Sequence, residues 1–272
     1  SISSHFTTVE NRKIHYLKAG EGETILFLHG WPTSSFLWRD IMPELSENYQ
    51  VIAPDLPGFG QSDKVLEDSY SFRYYARILD GFLQNLGIEK VNLGVHDLGG
   101  PIGLYWMIQN MARVNRLILF NTLVYPNLSF MVKLFGLGTR LPFVKNLLSN
   151  PNGVVRAMFV GVHNKKSLNR EILNHYKAPF KDKNAQKVLL KTVQNFSKKG
   201  FKEIEEKLPT FDKPVQIIYG ENDKILPKVA NTMKRVKEDL PQSNLVSIPN
   251  CGHFLQEEVS GEIVLILKGF LK

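Results

Sequence analysis

Three residues of the chain, Asp97, Asp223 and His253, have the types and spacing to carry covalent chemistry. Asp97 ends the stretch Val91-Asn92-Leu93-Gly94-Val95-His96-Asp97-Leu98-Gly99-Gly100. It reads as a buried strand, a sharp turn at Asp97, and a helix opened by two glycines. A turn of this kind holds its central residue exposed on a strained backbone between small neighbours. Gly99 meets that spacing two residues after Asp97, but Val95 stands two before it, where the strict pattern has Gly. An Asp before a helix start also suits ordinary N-capping. As a nucleophile, a carboxylate with a pKa of roughly 4 is ionised at neutral pH and needs no base for its first attack. Attack by Asp at a saturated carbon gives an ester that activated water can hydrolyse, whereas a serine would leave a stable ether. The expected electrophiles are alkyl halides, epoxides and strained lactones.

The ester must then be cleaved, which calls for a base held by an orienting acid. Two loops offer them, Gly220-Glu221-Asn222-Asp223 and Pro249-Asn250-Cys251-Gly252-His253-Phe254, each directly after an apolar strand run. Open α/β sheets place their sites at the carboxyl ends of strands. His253 is the expected base and Asp223 the orienting acid, with Glu221 as a rival acid. Alone, Asp223 would suit turn chemistry and His253 a capping role. Nucleophile, acid and histidine in that chain order at three strand ends are what argue for one site. His96 is expected to pack beside the turn and His29 to shape a neighbouring loop. His5, His15, His163 and His175 show no site logic. There is no close His/Cys pairing, so no metal and no cofactor is expected.

The elements that must position these residues alternate. Residues 6–18 read as a hairpin turning at Glu10-Asn11, and Thr24–Leu28 as a strand buried on both faces. A helix capped by Ser35 is expected over 36–45 and a strand over 49–54. Further helices are expected at 71–86, 99–113, 228–240 and 254–271, with strands at 116–120, 214–219 and 244–248. The fold class is α/β, with a mostly parallel central sheet flanked by helices. Residues 122–208 hold helical patterns, Gly/Pro breaks and no strand run. They read as an inserted helical cap, with residues 1–121 and 209–272 forming the core domain.

Composition narrows the function. The chain has 272 residues, 43% hydrophobic and 22% charged, as suits one large domain or one domain with an insertion. Its net charge is +8, but the basic residues are dispersed in pairs such as Lys165-Lys166 rather than gathered into a stripe, so no nucleic-acid partner is expected. No apolar run is long enough to span a membrane, and no signal peptide is visible. One cysteine, Cys251, cannot form an internal disulfide, which suits a cytoplasmic protein. The expected partners are a small apolar substrate and water, in a monomer or homodimer.

The residues also carry a resemblance. The segments His29-Gly30-Trp31-Pro32-Thr33-Ser34-Ser35, Leu37-Trp38-Arg39, Asp55-Leu56-Pro57-Gly58-Phe59-Gly60-Gln61-Ser62-Asp63, His96-Asp97-Leu98-Gly99-Gly100, Gly220-Glu221-Asn222-Asp223 and Gly252-His253-Phe254-Leu255-Gln256-Glu257-Glu258 resemble the haloalkane dehalogenase and epoxide hydrolase branch of the α/β-hydrolase fold. The segment Tyr176-Lys177-Ala178-Pro179-Phe180 resembles the cap of the dehalogenases. The resemblance implies Asp97 as nucleophile, His253 with Asp223 as the water-activating pair, and an oxyanion hole from the backbone N–H groups of Trp31 and Leu98. It implies a cap walling a pocket, with Trp31, Leu98, Tyr125 and Tyr176 as its expected lining. Two departures stand out. Dehalogenases carry a halide-binding Trp after the nucleophile, where this chain has Leu98; the Trp31 indole could substitute. Epoxide hydrolases protonate the opening ring with cap tyrosines, and Tyr125 and Tyr176 lie outside that context. Haloalkane dehalogenase-like hydrolysis is the leading expectation. Epoxide hydrolysis, ester or lactone hydrolysis, and a catalytically weak small-molecule receptor are the alternatives.

Overall fold

A computed structural model describes all 272 residues. Eight strands form one sheet: β1 (Ser3–Val9), β2 (Arg12–Ala19), β3 (Thr24–Leu28), β4 (Gln50–Pro54), β5 (Val91–Asp97), β6 (Val114–Thr122), β7 (Val215–Gly220) and β8 (Asn244–Ile248). Their order is β1-β2-β4-β3-β5-β6-β7-β8. The β1–β2 hairpin and the β2–β4 pair are antiparallel, and every other pair is parallel. Glu10 and Asn11 both take positive φ, as the two-residue hairpin turn demands. Every residue of β3, β5 and β7 is buried, because helices cover both faces of a parallel sheet.

The helices of the first half are α1 (Met42–Leu45), α2 (Phe72–Asn85) and α3 (Gly99–Met107). Three expected helices are shorter than their apolar patterns. Residues 36–45 fold as a 3₁₀ turn (Ser35–Trp38) and the single turn α1. Ser34, not Ser35, caps the former: its hydroxyl oxygen accepts the Phe36 N–H, while the Ser35 N–H, already inside the turn, donates to Asp55 Oδ1 at 2.7 Å. The helix expected to reach residue 113 ends at Met107 and gives way to a 3₁₀ turn at Met111–Arg113. The C-terminal helix is split into Leu255–Glu258 and Ser260–Phe270 at Val259, whose φ of −140° lies outside the helical range.

Between β6 and β7 there is no strand. The chain runs through α4 (Phe130–Gly138), α5 (Pro142–Ser149), α6 (Pro151–Gly161), α7 (Arg170–Lys177), α8 (Lys183–Lys191) and α9 (Lys198–Lys207). Side chains of Ser129, Asn150, Asn169, Asp182 and Ser197 cap five of these six. The last three helices are α10 (Val229–Asp239), α11 (Leu255–Glu258) and α12 (Ser260–Phe270). No helix is long and apolar enough to cross a membrane. The sheet order reverses around β3, which lies between β4 and β5, so the loops after β3 and β5 meet at one crevice.

Candidate active site

The crevice is built around Asp97, the last residue of β5. Its φ of +49° is left-handed, a conformation that Asp tolerates better than most residues. This aims the carboxylate away from the sheet, at the amino end of α3, where peptide dipoles favour a negative charge. The missing Gly before the turn is compensated in α3. A Cβ on Gly103 would sit 2.6 Å from Val95 Cγ1, so the helix supplies the bare position that lets Val95 pack. On the other side, Asp97 Oδ1 accepts the Trp31 backbone N–H at 2.7 Å. The backbone N–H of Leu98 also stabilises the carboxylate. The two donors expected at an oxyanion hole therefore converge on Asp97. Burial alone would raise the Asp97 pKa, but contact with the His253 ring and its charge holds it below the usual carboxylate range.

His253 and Asp223 complete the cluster. The Asp223 carboxylate is fully buried and saturated with donors. Oδ2 accepts His253 Nδ1–H and Asn121 Nδ2–H, each at 2.7 Å, and Oδ1 accepts the N–H groups of Ile225 and Leu226 at 2.8 and 2.6 Å. The other ring nitrogen, Nε2, lies 3.2 Å from Asp97 Oδ2 without the alignment of a hydrogen bond. Burial pulls the imidazole pKa down, but the carboxylates of Asp223 and Asp97 outweigh it and raise the value to about 10. The resting cluster therefore holds one imidazolium between two carboxylates.

Several supports escape sequence reasoning. Asn121, at the end of β6, donates to Asp223 and accepts the Gly220 N–H at 2.9 Å. The His253 N–H donates to the Gly161 carbonyl at 2.6 Å, which ties the histidine loop to α6. Glu258 accepts the N–H groups of Gly252, His163 and Asn164. His96 donates Nε2–H to the His253 carbonyl at 2.9 Å; burial and the neighbouring His253 charge lower its pKa to about 3 and keep it neutral. A polar residue at a strand end beside another site loop is the only sequence signal Asn121 carries. Glu221 is exposed and accepts the Ser247 hydroxyl, so it does not reach the cluster.

A cavity of about 470 Å³ opens over Asp97. Of its 23 lining residues 16 are hydrophobic, which fits an apolar ligand. Leu98 and Trp31 line it. Tyr125 and Tyr176 do not. The Tyr125 hydroxyl donates to Asp239, the last residue of α10, at 2.6 Å. The Tyr176 hydroxyl donates to Glu257, which also binds Arg39. Both rings are held by carboxylates outside the cavity. Nor is the Trp31 indole free for a halide: it donates to the Leu189 carbonyl at 3.2 Å and so pins α8 to the early loop. Trp38 and Trp106 are buried, the former stacked on Phe27 and the latter donating to Asp80. No group of three or more His, Cys, Asp or Glu is arranged to hold a metal ion.

Comparison with known proteins places this geometry in a family. Residues 23–259 match the model of the alpha/beta hydrolase fold. The uncharacterized hydrolase YugF of Bacillus subtilis is 32% identical, over 90% of this chain and 88% of its own. The cis-3-alkyl-4-alkyloxetan-2-one decarboxylase of Shewanella oneidensis is 29% identical, over 98% and 87%. Haloalkane dehalogenase 2 of Mycobacterium tuberculosis is 28% identical, over 92% and 88%. Among solved structures, the haloalkane dehalogenase DatA of Agrobacterium tumefaciens superposes with a TM-score of 0.87 at 24% identity, covering 100% of this chain and 96% of its own. The epoxide hydrolase CorEH superposes with a TM-score of 0.84 at 24% identity, covering 100% and 99%. At that identity the two superpositions speak for the fold alone. The chain belongs to the α/β-hydrolase fold family, as a hydrolase with haloalkane dehalogenase and epoxide hydrolase relatives.

Proposed function

We propose that the protein opens a small apolar electrophile at a saturated carbon with Asp97 and hydrolyses the resulting ester with His253, and that its substrates are strained cyclic esters. The observation that carries this reading is the wall of the cavity. Besides Asp97, its only side chains with polar groups are Trp31, whose N–H is spent on Leu189, and the cations Lys133, Arg156 and Lys224. It holds no tyrosine to protonate an epoxide oxygen. It holds no free indole for a halide. A four-membered lactone opened at its saturated ring carbon needs neither, because its leaving group is a carboxylate that departs without a proton and suits a cationic wall. The Shewanella relative, named for an oxetan-2-one, supports this choice of substrate.

The two steps balance as follows. Asp97 Oδ2 attacks the ring carbon, the carbon–oxygen bond breaks, and its electron pair becomes the carboxylate of the ring-opened substrate. The alkyl ester on Asp97 is neutral, so His253 loses one of the two charges that hold its proton, releases that proton to solvent, and as neutral imidazole becomes a competent base. It takes a proton from water, and the hydroxide attacks Cγ of the ester. The oxyanion forms on Oδ1, which already accepts the Trp31 N–H, with the Leu98 N–H beside the same carboxyl group; such preorganised donors are worth about 3 kcal/mol each. Collapse releases the alcohol oxygen, reprotonated from His253, and the carboxylic proton left on Asp97 passes to His253, which restores the carboxylate and the imidazolium. The helices between β6 and β7 act as the cap that excludes water.

The test is intact mass of a His253→Phe variant after exposure to a short-chain 3,4-dialkyl-oxetan-2-one, an alkyl bromide and an epoxide. The expected result is an adduct of the whole lactone on the peptide containing Asp97, abolished by Asp97→Asn. An adduct from the bromide alone would make halide displacement the reaction. No adduct from any of the three would overturn the nucleophile.

A further inference from the structure

The helices over the cavity expose an apolar face that a water-soluble enzyme has no use for. Phe130, Leu134 and Leu137 lie on one side of α4 and are 74, 48 and 55% exposed. Leu141, just before α5, and Leu147 on it flank Phe143, which at 90% is the most exposed large apolar side chain in the protein. Exposed apolar patches of this extent mark an interaction site. The segment that carries the face is charged with one sign only. From residue 98 to residue 170 there is no Asp or Glu, while Lys133, Arg140 and Lys145 stand exposed among the apolar groups. None of the three pairs with a carboxylate.

We infer that α4 and α5 dock the protein on an anionic lipid surface, with Phe143 inserted and the basic residues at headgroup level. Two short helices with large apolar side chains and interleaved Lys and Arg have the composition of interfacial helices. A second copy of the chain is a poor occupant, since a two-fold contact would set these cations against their own images with no acidic residue to answer them. A protein partner is disfavoured by what the face adjoins. Met131, Leu147 and Val160 are each about half-exposed and also line the cavity over Asp97. A macromolecule covering the face would seal that mouth. A bilayer is instead the phase in which an apolar substrate dissolves, and it would meet the mouth directly. The inference does not depend on the Asp97 chemistry.

The experiment is co-sedimentation of the full chain with phosphatidylcholine vesicles, with and without about one part in three of phosphatidylglycerol. Partitioning onto the anionic vesicles is expected to weaken as salt rises. An Arg140→Gln/Lys145→Gln variant should lose about 25-fold, at about five-fold per basic residue, and Phe143→Ser more than ten-fold. Neither variant touches the cavity wall, so activity on a water-soluble substrate and the melting temperature report that both are folded. Failure to bind anionic vesicles, or equal binding by parent and variants, overturns the inference. So does a concentration-dependent dimer that Phe143→Glu dissociates, because the face would then belong to a second copy.

Discussion

A single methyl group tests how the early loop and the nucleophile are fitted together. Gly30 precedes the Trp31 N–H donor, and a Cβ built on it would stand 2.3 Å from Asp97 Oδ1, 2.4 Å from Asp97 Cβ and 2.6 Å from the Leu98 nitrogen. Ordinary contact begins near 3.4 Å, so Gly30→Ala must move the carboxylate or the loop by about 1 Å. Both neighbours are anchored, Asp97 by the turn and the loop by Thr33, whose N–H and hydroxyl bind the Gly30 carbonyl at 2.9 and 2.8 Å. Overpacking of this size costs about 1–3 kcal/mol of stability, which leaves a folded protein. A displacement of about 1 Å in a reacting group costs roughly 100-fold in rate. The assay is the rate of ester formation on Asp97, followed by intact mass in the His253→Phe background, with a thermal melt of the same sample. A rate within about three-fold of the parent would refute the reasoning, because it would mean that neither the carboxylate nor the oxyanion loop needs its present position.

Asn121→Leu should remove a donor from Asp223 and an acceptor from the Gly220 N–H. The expected loss is about 2–4 kcal/mol, or roughly 5–15 °C in melting temperature, with ester hydrolysis slowed more than ester formation so that the adduct accumulates. Alkaline stability should report His253. Its pKa is raised in the fold from the ordinary 6.5 to about 10, so its contribution is complete below pH 6.5 and is lost as pH rises to about 10. Melting curves across that window should fall more steeply for the parent than for His253→Phe, and parallel curves would contradict the charge assignment. Trp31→Phe should cost about 1 kcal/mol through the lost bond to Leu189 while leaving bromide inhibition unchanged; weakened inhibition would mean that the indole serves a halide after all.

Much of the scaffold was legible because the physics behind it is local. The largely apolar runs at 24–28, 91–95 and 214–219 read as buried strands, and the absence of such a run after Thr122 marked the helical insertion. Asp97, Asp223 and His253 could be picked out because each stands at the end of a strand run or in the loop that follows one. Boundaries differ where tertiary contacts meet them: Asp55 accepts the Ser35 N–H at the start of the first turn, and Glu258 turns back to the His253 loop at the break before α12. The pocket was harder still. Tyr125 and Tyr176 are aromatic residues in the right region of the chain, but whether a ring lines a cavity depends on Asp239 and Glu257, which lie 114 and 81 residues further on. Asn121 was missed because nothing in its neighbourhood of sequence shows that β6 and β7 are adjacent.

The central claim is that substrate bonds to Asp97 before water acts, and a single turnover in ¹⁸O-labelled water tests it most directly. With enzyme in excess over the lactone, water attacks Cγ of the ester. The label should then enter the Asp97 side chain, detected as a mass increase in its peptide, and the product hydroxyl should carry unlabelled oxygen from the enzyme. Label in the product hydroxyl and none in Asp97 would mean that water attacks the substrate itself, and the covalent account would be wrong.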